Sequence, residues 1–185
     1  MPFYYVQLSS LNRPSWPWFR DSQRRLLESR PNLGMVVTSD LGDPSDVHYK
    51  DKKPVGERLA RLALNKDYGF DLVPSGPLFK SAAVSVPELA EGPVVRQAHQ
   101  PEVVVTFEYG DGLKASSGAE VVGFEIAGKD MLYHKATCHL DGDRVVLSSP
   151  EVKNPVYVRY AWEPYTRANL VNSAGLPAST FLFSL

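Results

Sequence analysis

The sequence predicts an α/β section over residues 1–69 followed by an all-β section, an antiparallel β-sandwich, over residues 70–185. Three observations lead there. Apolar residues fall at helical spacing between β-rich runs up to Gly69. Beyond it helical periodicity disappears and strand-like runs recur at short intervals. Asp111-Gly112 and Asp141-Gly142 sit between such runs, where a hairpin needs positive φ.

The elements follow in chain order. Residues 3–8, Phe-Tyr-Tyr-Val-Gln-Leu, read as a strand. Ser15 is placed to cap a helix with Pro17 in its first turn, and Trp18, Phe19, Leu26 and Leu27 mark its apolar face up to about Ser29. Residues 34–38, Gly-Met-Val-Val-Thr, suit a strand covered on both faces of a parallel sheet. Asp51 is placed to cap a second helix, with Val55, Leu59, Leu62 and Ala63 at helical spacing and Gly69 as its stop. In the second section, strands are expected over 77–86, 102–109, 121–127, 131–140, 144–148 and 155–162. The stretch 163–185, rich in Asn, Pro and Ala, is expected to be an ordered tail.

Two parallel strands and two helices do not cover both faces and both edges of a parallel sheet. A complete domain of this kind uses about five strands. Residues 1–69 are therefore expected to be the closing section of a larger α/β domain, with the earlier strands on another segment or chain. The open edge makes self-association or pairing with another chain an expected property.

Composition narrows the function classes. The 185 residues carry 20 Lys+Arg against 21 Asp+Glu, a formal charge of −1, and 43% hydrophobic residues. No basic block interleaved with aromatics points to nucleic acid. No apolar run reaches the roughly eighteen residues of a membrane span. The opening MPFYYVQL shows no charged leader region, which leaves the compartment undetermined. Cys138 is the sole cysteine, so no disulfide forms within the chain.

The segment with chemical potential runs Thr38-Ser39-Asp40-Leu41-Gly42-Asp43-Pro44-Ser45-Asp46-Val47-His48. It leaves the carboxyl end of a buried strand, the edge where open α/β sheets bind ligands. His48 is the only histidine of the first section and is the candidate general base. Asp46, two residues earlier, shares its side in an extended segment and would hold the imidazole tautomer. Asp43 is a second candidate for that role and Asp40 a weaker one. The competing reading is a solvated turn whose aspartates cap backbone amides.

A base needs a nucleophile, and no Gly-x-Ser-x-Gly elbow is present. Ser9 and Ser10 end the first strand without an oxyanion-forming glycine, and Cys138 reads as a small buried hydrophobe. His134 and His139 fall on opposite faces of one expected strand, and His99 stands alone in a Pro-flanked loop. No Cys pair or phosphate loop implies a metal or cofactor. Trp16, Trp18 and Trp162 suit either sugar stacking or packing between sections, with packing the simpler reading.

The run Trp18-Phe19-Arg20-Asp21-Ser22-Gln23, then Asn32 through Thr38, then Asp40 through His48 resembles the sialate O-acetylesterase family. Val55-Gly56-Glu57-Arg58-Leu59-Ala60 and Ser75-Gly76-Pro77-Leu78-Phe79-Lys80 continue it. Gly123-Phe124-Glu125-Ile126-Ala127-Gly128, Ser148 through Pro155, Val158-Arg159-Tyr160-Ala161-Trp162 and Gly175-Leu176-Pro177-Ala178-Ser179 carry it through the second section. The resemblance implies an SGNH-type serine esterase, with a flavodoxin-like catalytic domain and an associated β-sandwich, that removes acetyl groups from sugars without a metal or cofactor. It implies an O-acetylated sialic acid or a plant-glycan fragment as substrate. His48 matches the family's base. The acid partner departs from the common Asp-x-x-His spacing, since Ser45 stands three before His48, so Asp46 and Asp43 both stay open. The family's Gly-Gln-Ser-Asn block and oxyanion blocks are absent, which implies a chain matching only the C-terminal part and inactive without a serine-bearing N-terminal segment. Other members are often exported. The alternative class is a non-catalytic carbohydrate-binding or interaction module built on the sandwich.

Overall fold

The computed structural model describes residues 1–85 and 100–185. His99 and Val86, the last residue of the expected 77–86 strand, lie outside the described residues. Among the described residues the chain forms twelve strands and two α-helices, a mixed α/β arrangement dominated by antiparallel sheets.

Strand β1 (Phe3–Val6) pairs in parallel with β2 (Leu33–Val36), Tyr4 opposite Gly34 and Val6 opposite Val36. Helix α1 (Trp16–Leu26), extended by a 3-10 turn over Leu27–Ser29, and helix α2 (Lys53–Lys66) cover opposite faces. Successive strand side chains alternate. Tyr5 sends its hydroxyl to the Gln23 carbonyl on α1 at 2.6 Å, while Gly34 and the Tyr4 ring lie beneath Leu62 of α2. Phe3 N–H and Gln7 N–H donate to Asn32 O and Val36 O, so Val6 and Leu8 direct their backbone groups to the opposite edge. There the Gln23 amide donates to Val6 O (3.2 Å) and accepts from Leu8 N–H (2.9 Å), as one peptide of a neighbouring strand would. No further strand pairs with this edge among the described residues.

Both helix starts differ from expectation. Ser15 stands at the N-cap of α1 but makes no side-chain cap bond, and α2 is preceded by Lys52 rather than capped by Asp51. Proline in the first turn of each supplies the initiation instead. The apolar face expected for α1 is inverted. Trp18, Phe19 and Leu26 are exposed, whereas Pro17, Arg20, Asp21 and Arg24 are buried. Polar partners on distant segments decide the register. Arg20 reaches main-chain carbonyls of Ala161, Glu163 and Pro164, and Asp21 pairs with Arg24 and Arg25.

The second section contains two antiparallel four-stranded sheets. One has the order β3 (Leu78–Ser85), β4 (Glu102–Glu108), β9 (Arg144–Ser148), β8 (Thr137–Asp141). The other has the order β12 (Phe181–Ser184), β10 (Tyr157–Tyr160), β6 (Phe124–Ala127), β7 (Tyr133–Lys135). A short pair joins β5 (Lys114–Ala115) to β11 (Leu170–Val171). Val103, Val105, Val145 and Leu147 of the first sheet share one core with Phe124, Ile126, Val158, Tyr160 and Phe181 of the second. Such face-to-face burial is a feature of β-sandwiches.

Two expectations are corrected here. The single strand over 131–140 is two, β7 and β8, which belong to different sheets; the chain crosses between them at Ala136, whose N–H donates to Phe124 O. His134 and His139 therefore lie on different sheets rather than on opposite faces of one strand. The stretch 163–185 is not a tail. It supplies β11 and β12, and Phe181 sits at the centre of an aromatic cluster with Phe79, Phe107, Phe124 and Tyr160, ring centroids 4.5–6.4 Å away.

Candidate active site

The carboxyl ends of β1 and β2 lie side by side, and a dense set of hydrogen bonds fixes the loop leaving β2. Thr38 Oγ1 donates to Gln7 O at 2.6 Å, Ser10 N–H to Leu41 O at 2.8 Å, and Ser10 Oγ to Ser39 O at 2.5 Å. Ser10 and Gly42 form a parallel bridge. Gly42 has φ +121°, and a Cβ there would collide with the Ser10 carbonyl oxygen, so glycine is required. Asp40 is not an imidazole partner. It makes a bidentate ion pair with Arg58 of α2 at 2.6 and 2.7 Å, and Arg58 also donates to Val37 O, which ties α2 to the end of β2.

Residues 43–48 form consecutive turns rather than an extended segment. Asp43 Oδ1 accepts from Ser45 N–H, Ser45 Oγ–H and Asp46 N–H at 2.8–2.9 Å. These bonds to the charged form hold its carboxyl below the usual carboxylate range. Asp46 Oδ1 accepts from the backbone N–H of His48 at 2.7 Å. Both aspartates therefore shape the backbone around His48, as Asx turns do, and each keeps Oδ2 clear of those bonds. His48 is exposed, and its imidazole makes no hydrogen bond among the described residues. The structure thus brings Asp43, Asp46 and His48 into one short loop, with the acids bonded to main chain.

Tyr49 escaped the sequence reading. Its part-buried phenol lies beside Thr38 and Ser9 at the two strand ends, and burial pushes its pKa up. The Lys52 ammonium lies 3.4 Å from the Tyr49 ring centroid. A lone Tyr between His and Lys carries no spacing signal, which is why pattern reading passed over it.

Cys138 packs at the edge of the core, and burial pushes its thiol up to about 11, so it stays protonated at neutral pH. Among the described residues no three His, Cys, Asp or Glu side chains gather as a metal site. A recess of about 700 Å³ lies on the second section between Gly128–His134 and Glu151–Val156, at the far end of β6 and β10 from the His48 loop.

Over 98% of its length the chain is similar to a solved structure, XAC1771, a carbohydrate acetylesterase from Xanthomonas citri, with 37% sequence identity and a TM-score of 0.84. The chain spans 41% of the length of that protein. No family model and no curated protein matches the sequence.

Proposed function

We propose that this chain is the histidine-bearing part of a carbohydrate O-acetylesterase of the sialate O-acetylesterase, SGNH type. The observation that carries this reading is its similarity, over nearly every residue, to a portion of an acetylesterase more than twice its length. Residues 1–69 then close a flavodoxin-like domain whose remaining strands, with the serine and oxyanion groups, lie on a segment outside this sequence. Residues 70–185 form the accompanying β-sandwich. The exposed Phe3, Trp18, Phe19 and Leu26 support the presence of a further packing partner on that side.

His48 acts as the base in this reading. It takes the serine Oγ proton as the oxygen attacks the acetyl carbonyl, then returns it to the departing sugar oxygen as the tetrahedral intermediate collapses. In the second half it deprotonates a water that attacks the acetyl-serine, and acetate leaves as the proton passes back to serine. Asp46 is assigned to orient the imidazole because it lies nearest in sequence and its Oδ2 is available; Asp43 is the alternate. The substrate class is an O-acetylated sugar, either a sialic acid or a plant-glycan fragment.

The test is acetate release from an aryl acetate. The chain alone is expected to match an inert-protein control, and the chain fused to the coding segment immediately ahead of it to hydrolyse the ester. Saturable sugar binding with no hydrolysis by either form would favour a carbohydrate-binding module instead.

A further inference from the structure

We propose that the recess beside the 161–168 loop is a saccharide subsite, holding a pyranose ring of the glycan that is deacetylated at the His48 edge. The ligand class rests on the acetylesterase reading; the site itself rests on geometry. The recess measures about 420 Å³, within the range of small-molecule sites, and its lining includes Trp162, Glu163, Thr166, Arg167, Lys135 and Glu125.

Its position connects it to the candidate active site. The N–H of Thr166, in its wall, donates to Ser10 Oγ at 3.3 Å, and Ser10 Oγ donates to Ser39 O, at the start of the loop that carries His48. Leu11 N–H donates to Pro164 O at 3.2 Å, and Asn12 N–H to Pro44 O at 3.1 Å. The recess loop and the His48 loop therefore share the end of β1 as a common support. The larger recess at the opposite end of β6 and β10 has no such connection.

The loop is held in a costly conformation. Ala161 has φ +53°, a left-handed value that a side-chain-bearing residue adopts only when its surroundings impose it. Its N–H donates to Gly123 O at 3.0 Å, and its carbonyl accepts from Arg20 Nη2 at 2.9 Å. Arg20 also holds Pro164 O at 3.2 Å, and burial removes it wholly from solvent. The strain turns the chain so that Trp162 meets Trp18 edge-on at 5.0 Å and also walls the recess.

The polar groups match a polyhydroxy ring. Glu125 is neutralised by Arg159 at 2.8 and 3.1 Å. Lys135, Glu163 and Arg167 are exposed and belong to no ion pair among the described residues, and Arg167 stacks over Tyr165 at 4.8 Å. Donors and an acceptor thus line the recess together with an apolar floor of Phe124, Ala161 and the edge of Trp162, which is 9% exposed. A pyranose presents an apolar C–H face and hydroxyls that donate and accept, and so uses all of them. An apolar ligand would cover these charged groups without pairing them.

The experiment is a titration of the chain with cellohexaose and with N-acetylneuraminic acid, followed by tryptophan emission and calorimetry. Saturable binding of one or both is expected, with Kd roughly millimolar or tighter; the two sugars separate a neutral plant glycan from an acidic one. Lys135→Ala/Arg167→Ala alters exposed side chains only, so thermal unfolding should stay in place while binding weakens about tenfold or more. Glu163→Gln should weaken it in the same direction. Absence of saturable binding to either sugar, or equal binding by the variants, overturns the subsite. Hydrolysis of an aryl acetate by the fused enzyme asks nothing of a sugar site, so failure of the subsite and failure of the esterase reading give different results.

Discussion

At Arg20 a guanidinium lies out of solvent, with no ion-pair partner among the described residues, held by main-chain carbonyls of Ala161, Glu163 and Pro164. Burial lowers its pKa to about 10, which leaves it charged at neutral pH. Removing it orphans those carbonyls and opens a void, so Arg20→Ala should cost about 3 kcal/mol or more, read as a lower urea midpoint at unchanged m. Lysine, with one compact ammonium in place of a planar fork, should not restore it. The two aspartates near His48 are separable in the same spirit. Asn retains Oδ1 as an acceptor, so Asp43→Asn should preserve the 43–46 turn, whereas Asp43→Ala should speed amide exchange at Ser45 and Asp46. Because the Asp43 pKa is depressed, its contribution to that turn is present above the unfolded carboxylate value near 3.9 and is lost as pH falls through the lower folded value. In the fused enzyme, Asp46→Asn should lower kcat by roughly 10⁴-fold, the size seen when the orienting carboxylate of a serine hydrolase is neutralised. Asp43→Asn should leave kcat near wild type; the reverse pattern would move the orienting role to Asp43.

Helix α1 shows how an element's pattern and its environment diverge. The spacing of Trp18, Phe19 and Leu26 reads as a core face, yet the buried face is charged. Its partners are carbonyls some 140 residues away in sequence and are invisible to a local window. Phe19→Gln and Leu26→Gln should therefore shift chain stability by no more than about 0.5 kcal/mol, while reducing self-association seen by light scattering. Asp21→Ala, which breaks a buried pair with Arg24 at 2.9 Å, should cost about 3 kcal/mol or more in urea unfolding. The strands were more legible. The alternating burial of β4 and β9 follows the Val/Ile/Leu-rich runs that identified them. The break at Ala136 left no mark because both flanking strands keep β-like composition. β12 was hidden because Phe181-Leu182-Phe183 is short and follows a Pro, Ala and Ser-rich stretch, although its burial is decided by four aromatics elsewhere in the chain.

At the scale of the whole molecule the two sections are stitched together. Gln7, just past β1, donates to Ser179 Oγ at 2.9 Å, in addition to the Arg20 and Thr166 connections. The β section thereby reaches the same edge as His48, and a glycan at that edge would meet residues from both sections. What the sequence conveyed of the site was its address: a polar loop after a buried strand, with one histidine in it. The turn geometry that bonds each aspartate to main chain, and the support from Tyr49 and Arg58, depend on tertiary contacts that residue order does not display. The assignment of His48 as the proton acceptor is the claim on which the rest depends. Acetate release from an aryl acetate by the fused enzyme, wild type against His48→Ala at matched folding, measures it directly. A loss of roughly 10³-fold or more is expected; equal rates in the two proteins would contradict it.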